Sequence, residues 1–247
     1  MLLCGSGQIM GMAMSDMRAE RMAAGVSFLF DPGERPDGTA WRRAIEGCQA
    51  RVRIGHEDAA AGVAEIVLDG LSFDMAGLAP ASAWKEGALE AVRLYPGAHL
   101  SGGLRLVPVV RALATLAAEL AVALPAQEVL WHPAEVRREP RRFSHAVLAW
   151  LAGGVFPAHE LSVLTALGDG SVTSRGLAHF TGQELRLQGG ASHGDAALRL
   201  AERTIDHLVR HGPVTTIQDV TIDGETLWLE PTQRGGQVWV WRKEAVV

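Results

Sequence analysis

A chain of 247 residues can form one large domain or two fused small ones, and its hydrophobic fraction of 48% is enough to bury a core. The formal net charge of −5 is spread along the sequence, and no basic segment has the density typical of a nucleic-acid-binding surface. No apolar run reaches the length that spans a membrane. We therefore expect a cytoplasmic protein that binds neither nucleic acid nor membrane.

The N-terminal segment, residues 1–24, has neither the basic start nor the long apolar stretch of a secretory signal peptide. It contains several methionines that could each be the true start, so we predict a flexible tail. The two cysteines, Cys4 and Cys48, form no CxxC motif, and nothing in the sequence supports a disulfide between them. Cys48 lies on an apolar helical stripe and is predicted to be a core residue.

The elements of residues 25–127 follow from apolar periodicity and turn residues. Asp37 is a suitable N-cap for the first helix, and Asp69-Gly70 is typical of a tight hairpin turn. The predicted elements in chain order are a strand Val26–Phe30, a helix Asp37–Cys48, strands Arg51–Ile54, Ala64–Leu68 and Leu71–Met75, an amphipathic helix Pro80–Arg93, a brief strand Ala98–Leu100 and a long buried helix Leu104–Leu124.

In residues 128–247 glycine pairs separate the predicted elements. Gly168-Asp169-Gly170 indicates a hairpin, and Ser192 with Asp195 resembles a capping box that opens a helix. The predicted elements are a strand Val129–Trp131, a helix Pro140–Leu151, a hairpin strand from Leu161 up to Gly168-Asp169-Gly170 and its partner Ser171–Phe180, a short strand at Leu185–Leu187, a helix that Ser192 caps and Gly212-Pro213 ends, and a C-terminal meander of Val220–Ile222, Leu227–Leu229 and Val238–Trp241.

Single helices between groups of two strands favour an α+β fold over a doubly wound parallel sheet. We predict two βαββαβ (ferredoxin-like) halves with antiparallel sheets packed by helices, followed by a C-terminal β-meander. The halves are 25–127 and 128–247, and their sheets could also merge into one domain.

The segment after the predicted hairpin carries a set of short motifs. It contains Ser174-Arg175-Gly176-Leu177, then Phe180, Gly182 and Glu184, and an Ala- and Leu-rich helix follows. With the Ala98-His99-Leu100 strand and the Trp131-His132-Pro133 strand end, it resembles the bacterial domain-of-unknown-function family 4261. The likeness covers about Leu104 to Pro213 and implies a compact bacterial α+β protein, without implying a reaction. The C-terminal strands would be an addition to the family's pattern.

The candidate ligand-binding residues are His132, Arg175, His179 and Glu184. Two imidazoles and a carboxylate would suffice for zinc, but their spacing matches no metal signature. The competing explanation is that His179 is a half-exposed strand residue and that Glu184 forms an ion pair with a neighbouring arginine, Arg175 or Arg186. We favour this second explanation, and we assign no catalytic residue, metal or cofactor.

Two further histidines, His207 and His211, lie one helical turn apart, but no HExxH motif accompanies them. No serine has the surroundings of a nucleophile elbow. The adjacent Ser144 and His145 point in different directions on a helix and cannot form a dyad. The sequence therefore contains no recognisable catalytic motif.

The predicted last strand is apolar on both faces. Trp239 and Trp241 point one way, Val238 and Val240 point the other, and Trp228 lies in the same meander. Either the strand is buried on both sides, which we favour, or a partner covers its tryptophan face. The preferred function is a non-enzymatic binding or scaffold protein with an unknown protein partner or self-association. The alternative is a small hydrolase or transferase that uses the His/Glu cluster.

Overall fold

The computed structural model describes residues 6–79, 84–189 and 194–243 and has a mixed α+β fold, as predicted. The helices are α1 Ser6–Ala23, α2 Gly38–Glu46, α3 Val107–Ala123, α4 Pro140–Leu151, α5 Ala158–Leu161, α6 Ala178–Thr181 and α7 Asp195–His211. The strands are β1 Val26–Phe30, β2 Val52–Asp58, β3 Val63–Leu68, β4 Leu71–Ala76, β5 Trp84–Glu86, β6 Leu89–Pro96, β7 Glu128–Trp131, β8 Val136–Arg138, β9 Val163–Ala166, β10 Val172–Arg175, β11 Glu184–Leu187, β12 Gln218–Ile222, β13 Glu225–Pro231 and β14 Gln237–Arg242. Within the described ranges, none of the helices is both long and apolar enough to cross a membrane.

The chain divides into two compact units. The first comprises the chain up to His132 together with Arg137–Leu148, and the second comprises Pro133–Val136 and the chain from Ala149 onward. The predicted boundary between residues 127 and 128 differs from this division. The reason is that β7 pairs with β1 of the first sheet, with Val26 opposite Trp131.

The first unit is built on a sheet with the strand order β2-β3-β4-β6-β1-β7-β8, and β5 pairs with β6. Its central strand β1 is buried along its whole length. Trp41 of α2 packs edge-on against Phe28 and Phe30, at ring-centroid distances of 5.7 and 6.1 Å. The helix α2 begins as predicted, because the Asp37 carboxylate accepts a hydrogen bond of 2.8 Å from the Ala40 backbone amide.

The second unit has a six-stranded sheet in the order β12-β13-β14-β11-β10-β9. All neighbouring strands are antiparallel except β11 and β14, which run parallel. The helix α7 packs on this sheet through a buried apolar stripe that includes Leu200, Ile205 and Leu208. The predicted capping residue Ser192 lies outside the described residues, and the helix begins after Gly194.

The predicted helix Pro80–Arg93 is wrong over the described residues from Trp84 onward. The chain forms the hairpin strands β5 and β6 there, with a turn at Gly87. Pairing of β6 with β1, β4 and β5 outweighs the helix propensity of its Ala, Leu and Glu residues. The predicted strand Ala98–Leu100 is also wrong, since Ala98–Gly103 forms a 3₁₀ helix.

Two larger predictions are not confirmed by the structure. The segment expected to be a flexible tail contains α1, which is anchored by a 2.7 Å ion pair from Arg21 to Asp74. The ferredoxin-like arrangement of the halves is not confirmed, because five strands, β2 to β6, separate α2 from α3. The hairpin strand predicted to reach Phe180 ends at Arg175, and Phe180 lies in α6.

Candidate functional site

Glu184, at the start of β11, caps the short helix α6. Its carboxylate accepts hydrogen bonds from the backbone amides of Gly176 at 2.8 Å, Leu177 at 3.3 Å and Ala178 at 3.0 Å. The Ser174 hydroxyl donates a further hydrogen bond to it. Amide donors at the first turn of a helix have no intrahelical acceptor, so a carboxylate at this position satisfies them and interacts favourably with the helix dipole.

The predicted ion pair between Glu184 and a neighbouring arginine does not form, because both arginines have other partners. Arg175 donates to Glu135, and the guanidinium of Arg186 lies 3.6 Å from the Asp169 carboxylate. With four donors directed at it, the Glu184 carboxylate has a structural role in the second unit.

His179 belongs to an aromatic cluster and is buried, with 7% of its surface exposed, where we predicted a half-exposed strand residue. It lies in α6, and its ring meets that of Phe180 at 5.4 Å in an edge-on arrangement. Phe180 in turn packs edge-on against Phe156 at 4.8 Å and Trp150 at 6.0 Å. Such pairs stabilise a core through burial and ring electrostatics.

His132 belongs to the first unit and takes part in a chain of polar contacts on the sheet. The Arg93 guanidinium donates to the Ser27 hydroxyl at 3.2 Å, and Ser27 Oγ lies 2.8 Å from His132 Nε2. The Arg93 bond uses one of the two lone pairs of the hydroxyl, so Ser27 has both its proton and a second lone pair for the contact with the His132 ring. Arg93 also pairs with Glu86 and lies 5.0 Å from the Trp84 ring centroid.

These contacts resemble a serine–histidine dyad in their hydrogen bonding, but Ser27 is 0% exposed. A serine nucleophile must reach its substrate, so this arrangement gives no catalytic dyad. The pKa of His132 is lowered to about 3, first by burial and then by the nearby Arg93 charge. Burial and the Arg93 charge therefore hold the imidazole neutral in its contact with Ser27.

His132 gives the first unit a testable dependence on pH. Because its pKa is lower in the folded state than the ordinary 6.5, the neutral ring stabilises the fold above about pH 6.5. This contribution is lost as the pH falls from there toward 3. Urea unfolding of the wild type and of His132→Gln, which keeps a neutral hydrogen-bonding side chain beside Ser27, is expected to show a larger loss of stability in the wild type between about pH 7 and pH 4.5. Parallel pH curves for the two proteins would contradict this assignment.

Among the described residues, no group of three or more His, Cys, Asp or Glu side chains is placed to hold a metal ion. The His207 and His211 rings stack at 4.1 Å on α7, and His211 Nδ1 donates to the His207 carbonyl at 2.8 Å. Burial and the neighbouring His211 lower the pKa of His207. The two histidines therefore contact each other along the last turn of α7.

The second sheet presents one apolar face to its core and a tryptophan-bearing face on the other side. Along β14, Val238 and Val240 are fully buried, while Trp239 and Trp241 are partly exposed and alternate with them. Trp228 of β13 is directly opposite Trp241 and is 41% exposed. We call Trp228, Trp239 and Trp241 the tryptophan face.

The tryptophan face is ordered by its own contacts. The rings of Trp239 and Trp241 stack at 5.6 Å with an interplanar angle of 28°. The Arg186 guanidinium lies 5.4 Å from the Trp239 ring centroid, and Trp239 Nε1 donates to Gln237 Oε1 at 3.1 Å. The Trp239 and Trp241 side chains are thus held by contacts within the chain, which lowers the entropy cost of binding.

In comparisons with protein-family models, curated proteins and solved structures, this chain matches none of them at a significant level. The resemblance to family 4261 therefore stays a prediction.

The sequence identified the tryptophans but not their neighbours. In the structure Trp239 has Arg186 of β11 on one side and Glu230 of β13 on the other, in direct register. The β13 neighbour could have been estimated from the meander, because the turn between β13 and β14 is short. The β11 neighbour depends on a parallel pairing between strands about 50 residues apart, for which the sequence contains no local signal.

Proposed function

We propose that this chain is a non-enzymatic binding or scaffold protein that engages its partner through the tryptophan face. The observation that carries the proposal is the exposure of Trp228 beside the ordered Trp239–Trp241 stack. Tryptophan contributes strongly to protein interfaces because a rigid ring buries a large apolar area at a small cost in side-chain entropy.

The alternative, a small hydrolase or transferase, has weaker support. It requires Glu184 to act on a substrate, whereas its carboxylate oxygens accept four hydrogen bonds from the protein. It also requires an accessible His179, whose side chain is buried and packs against the Phe180 ring. The Glu184 carboxylate and the His179 ring are thus both engaged by contacts within the protein. The tryptophan face is therefore the better-supported site.

The proposal is tested by retention on immobilised full-length protein. The wild type, Trp228→Ala and the control Val122→Ala are exposed in parallel to a lysate of the source cells, and the retained proteins are identified by mass spectrometry. Val122 is 53% exposed on α3 of the first unit and serves as the matched apolar control. We expect a partner, which can be the chain itself, to be retained by the wild type and the control and to be reduced at least about tenfold by Trp228→Ala.

Equal retention of every protein by all three baits would contradict the proposal. The variant changes an exposed side chain on one strand, so its fold is verified by far-ultraviolet circular dichroism and by a single cooperative unfolding transition. If folded Trp228→Ala protein still retains the partner, the partner binds at a surface other than the tryptophan face.

A further inference from the structure

We propose that the occupant of the tryptophan face is a second copy of this chain, related by a two-fold axis that runs parallel to β14. This inference rests on the proposed function, since it names the partner of the same surface. It is carried by the charges that flank the tryptophans on the two neighbouring strands.

The two flanks of the tryptophan face carry opposite charges. On the β11 side, Arg186 is directly beside Trp239, and on the β13 side Glu230 is directly beside it. Both charged residues are partly exposed. The three side chains form one row across the sheet with the order positive, aromatic, negative.

This order is self-complementary under a two-fold rotation. The axis runs parallel to β14, midway between the two facing sheets. Rotation about it leaves each residue at the same height along the strand and brings the β11 side of one copy opposite the β13 side of the other. Trp239 of one copy then meets Trp239 of the other. Arg186 of each copy faces Glu230 of the other, so the dimer contains two equivalent ion pairs around an aromatic centre. Sheets that pack face to face in this way are about 10 Å apart, which two long side chains can bridge.

The other charges on this face are already committed within the second unit. Arg175 donates to Glu135, and Lys243 forms a 2.6 Å ion pair with Asp219. Glu230 forms no ion pair with any residue in the described part of the chain, and Arg186 has, beside its contact with the Trp239 ring, one long ion pair with Asp169. The row therefore leaves one acidic and one basic side chain available for a partner, which suits a second copy better than a partner of one charge.

The test is a charge exchange read out as molar mass by light scattering on the full chain, over about 1–100 μM protein. The wild type is expected to have twice the monomer mass of 26.4 kDa. Glu230→Arg and Arg186→Glu, each alone, place like charges opposite each other twice per dimer and are expected to run as monomers. The controls Glu34→Arg and Arg199→Glu change charges elsewhere on the chain and are expected to remain dimeric.

The decisive sample is the equimolar mixture of the two single variants. In the mixed dimer the arginine introduced at position 230 of one chain faces the glutamate introduced at position 186 of the other. The remaining pair is the native one, so the doubled mass is expected to return. A change within one chain cannot produce this rescue. A monomeric wild type, single variants that stay dimeric, or a mixture that stays monomeric would each overturn the inference.

If Arg186→Glu does not fold, Trp228→Ala takes its place. We then expect at least a tenfold weaker dimer, and an unchanged dimer would overturn the inference. A monomeric wild type that still retains another protein through Trp228 would remove the self-association and keep the proposed function. A monomeric wild type that also retains no protein through Trp228 would overturn both the inference and the proposed function.

Discussion

Replacing Glu184 with alanine is expected to lower the free energy of unfolding by about 3 kcal/mol, although the residue is only partly buried. The substitution removes the acceptor of three backbone amides and of the Ser174 hydroxyl at once. Hydrogen bonds to a charged group contribute about 1.5–3 kcal/mol each, and their sum is not additive within one network. The amides of Gly176, Leu177 and Ala178 then lose their acceptor, and α6 loses its cap.

Urea unfolding followed by circular dichroism measures this loss. Glu225→Ala is the matched control, because it removes an exposed carboxylate of the same sheet that pairs with Arg242 and accepts none of these amides. Its effect is expected to stay within about 1 kcal/mol. Glu184→Gln keeps one acceptor oxygen and is expected to lose about half as much as the alanine variant. If Glu184→Ala is no more destabilising than Glu225→Ala, the Glu184 carboxylate does not stabilise the segment from Gly176 to Ala178.

This prediction separates two explanations of the most polar stretch of the sequence. In the sequence, Arg175, His179 and Glu184 suggest a functional site, because the same residue types form metal and acid–base sites. In the structure each meets a different partner, respectively a carboxylate, an aromatic ring and a row of backbone amides. The types of the side chains could be read from the sequence, but their partners depend on how the chain turns at α6.

The elements that the sequence predicted correctly are those with local causes. Asp69 and Asp223 both have a φ of 50° in two-residue hairpin turns, as their Asp-Gly pairs indicate. The helix that begins after Asp37 follows from a capping side chain three residues from its acceptor amide. In these cases the interactions that fix the structure lie within a few residues of one another.

The predictions that failed depend on contacts between distant residues. The segment after Trp84 contains good helix formers, and only its pairing with β1 and β4 makes it a strand. Arg21 holds α1 through Asp74, 53 residues away, so the helix Ser6–Ala23 could not be recognised from the composition of its own segment. The row of Arg186, Trp239 and Glu230 also depends on distant contacts. It forms only when β14 pairs with β11 and β13, and the sequence does not show the register of these pairings.

Replacing Gly176 with alanine is expected to cost about 3–4 kcal/mol of unfolding free energy, from two separate causes. Gly176 has a φ of +92°, which an L-residue with a side chain adopts only with strain. A Cβ atom built there would lie 2.5 Å from Ala134 Cβ and 2.8 Å from Ala134 Cα, so part of the clash is with backbone. Positive φ costs roughly 1–2 kcal/mol, and overpacking typically adds about 1–3 kcal/mol.

Gly182 is the matched control, because it also has a positive φ, +78°, but a Cβ atom added there would meet no other atom within 4 Å. Gly182→Ala is therefore expected to cost only the conformational part, about 1–2 kcal/mol. Adding Ala134→Gly to Gly176→Ala removes the Cβ–Cβ clash and leaves the contact with the backbone, so it should recover part of the difference between the two variants. The three are compared by urea unfolding under one set of conditions. Equal losses of unfolding free energy for Gly176→Ala and Gly182→Ala would show that the contact of the added Cβ atom with Ala134 costs nothing.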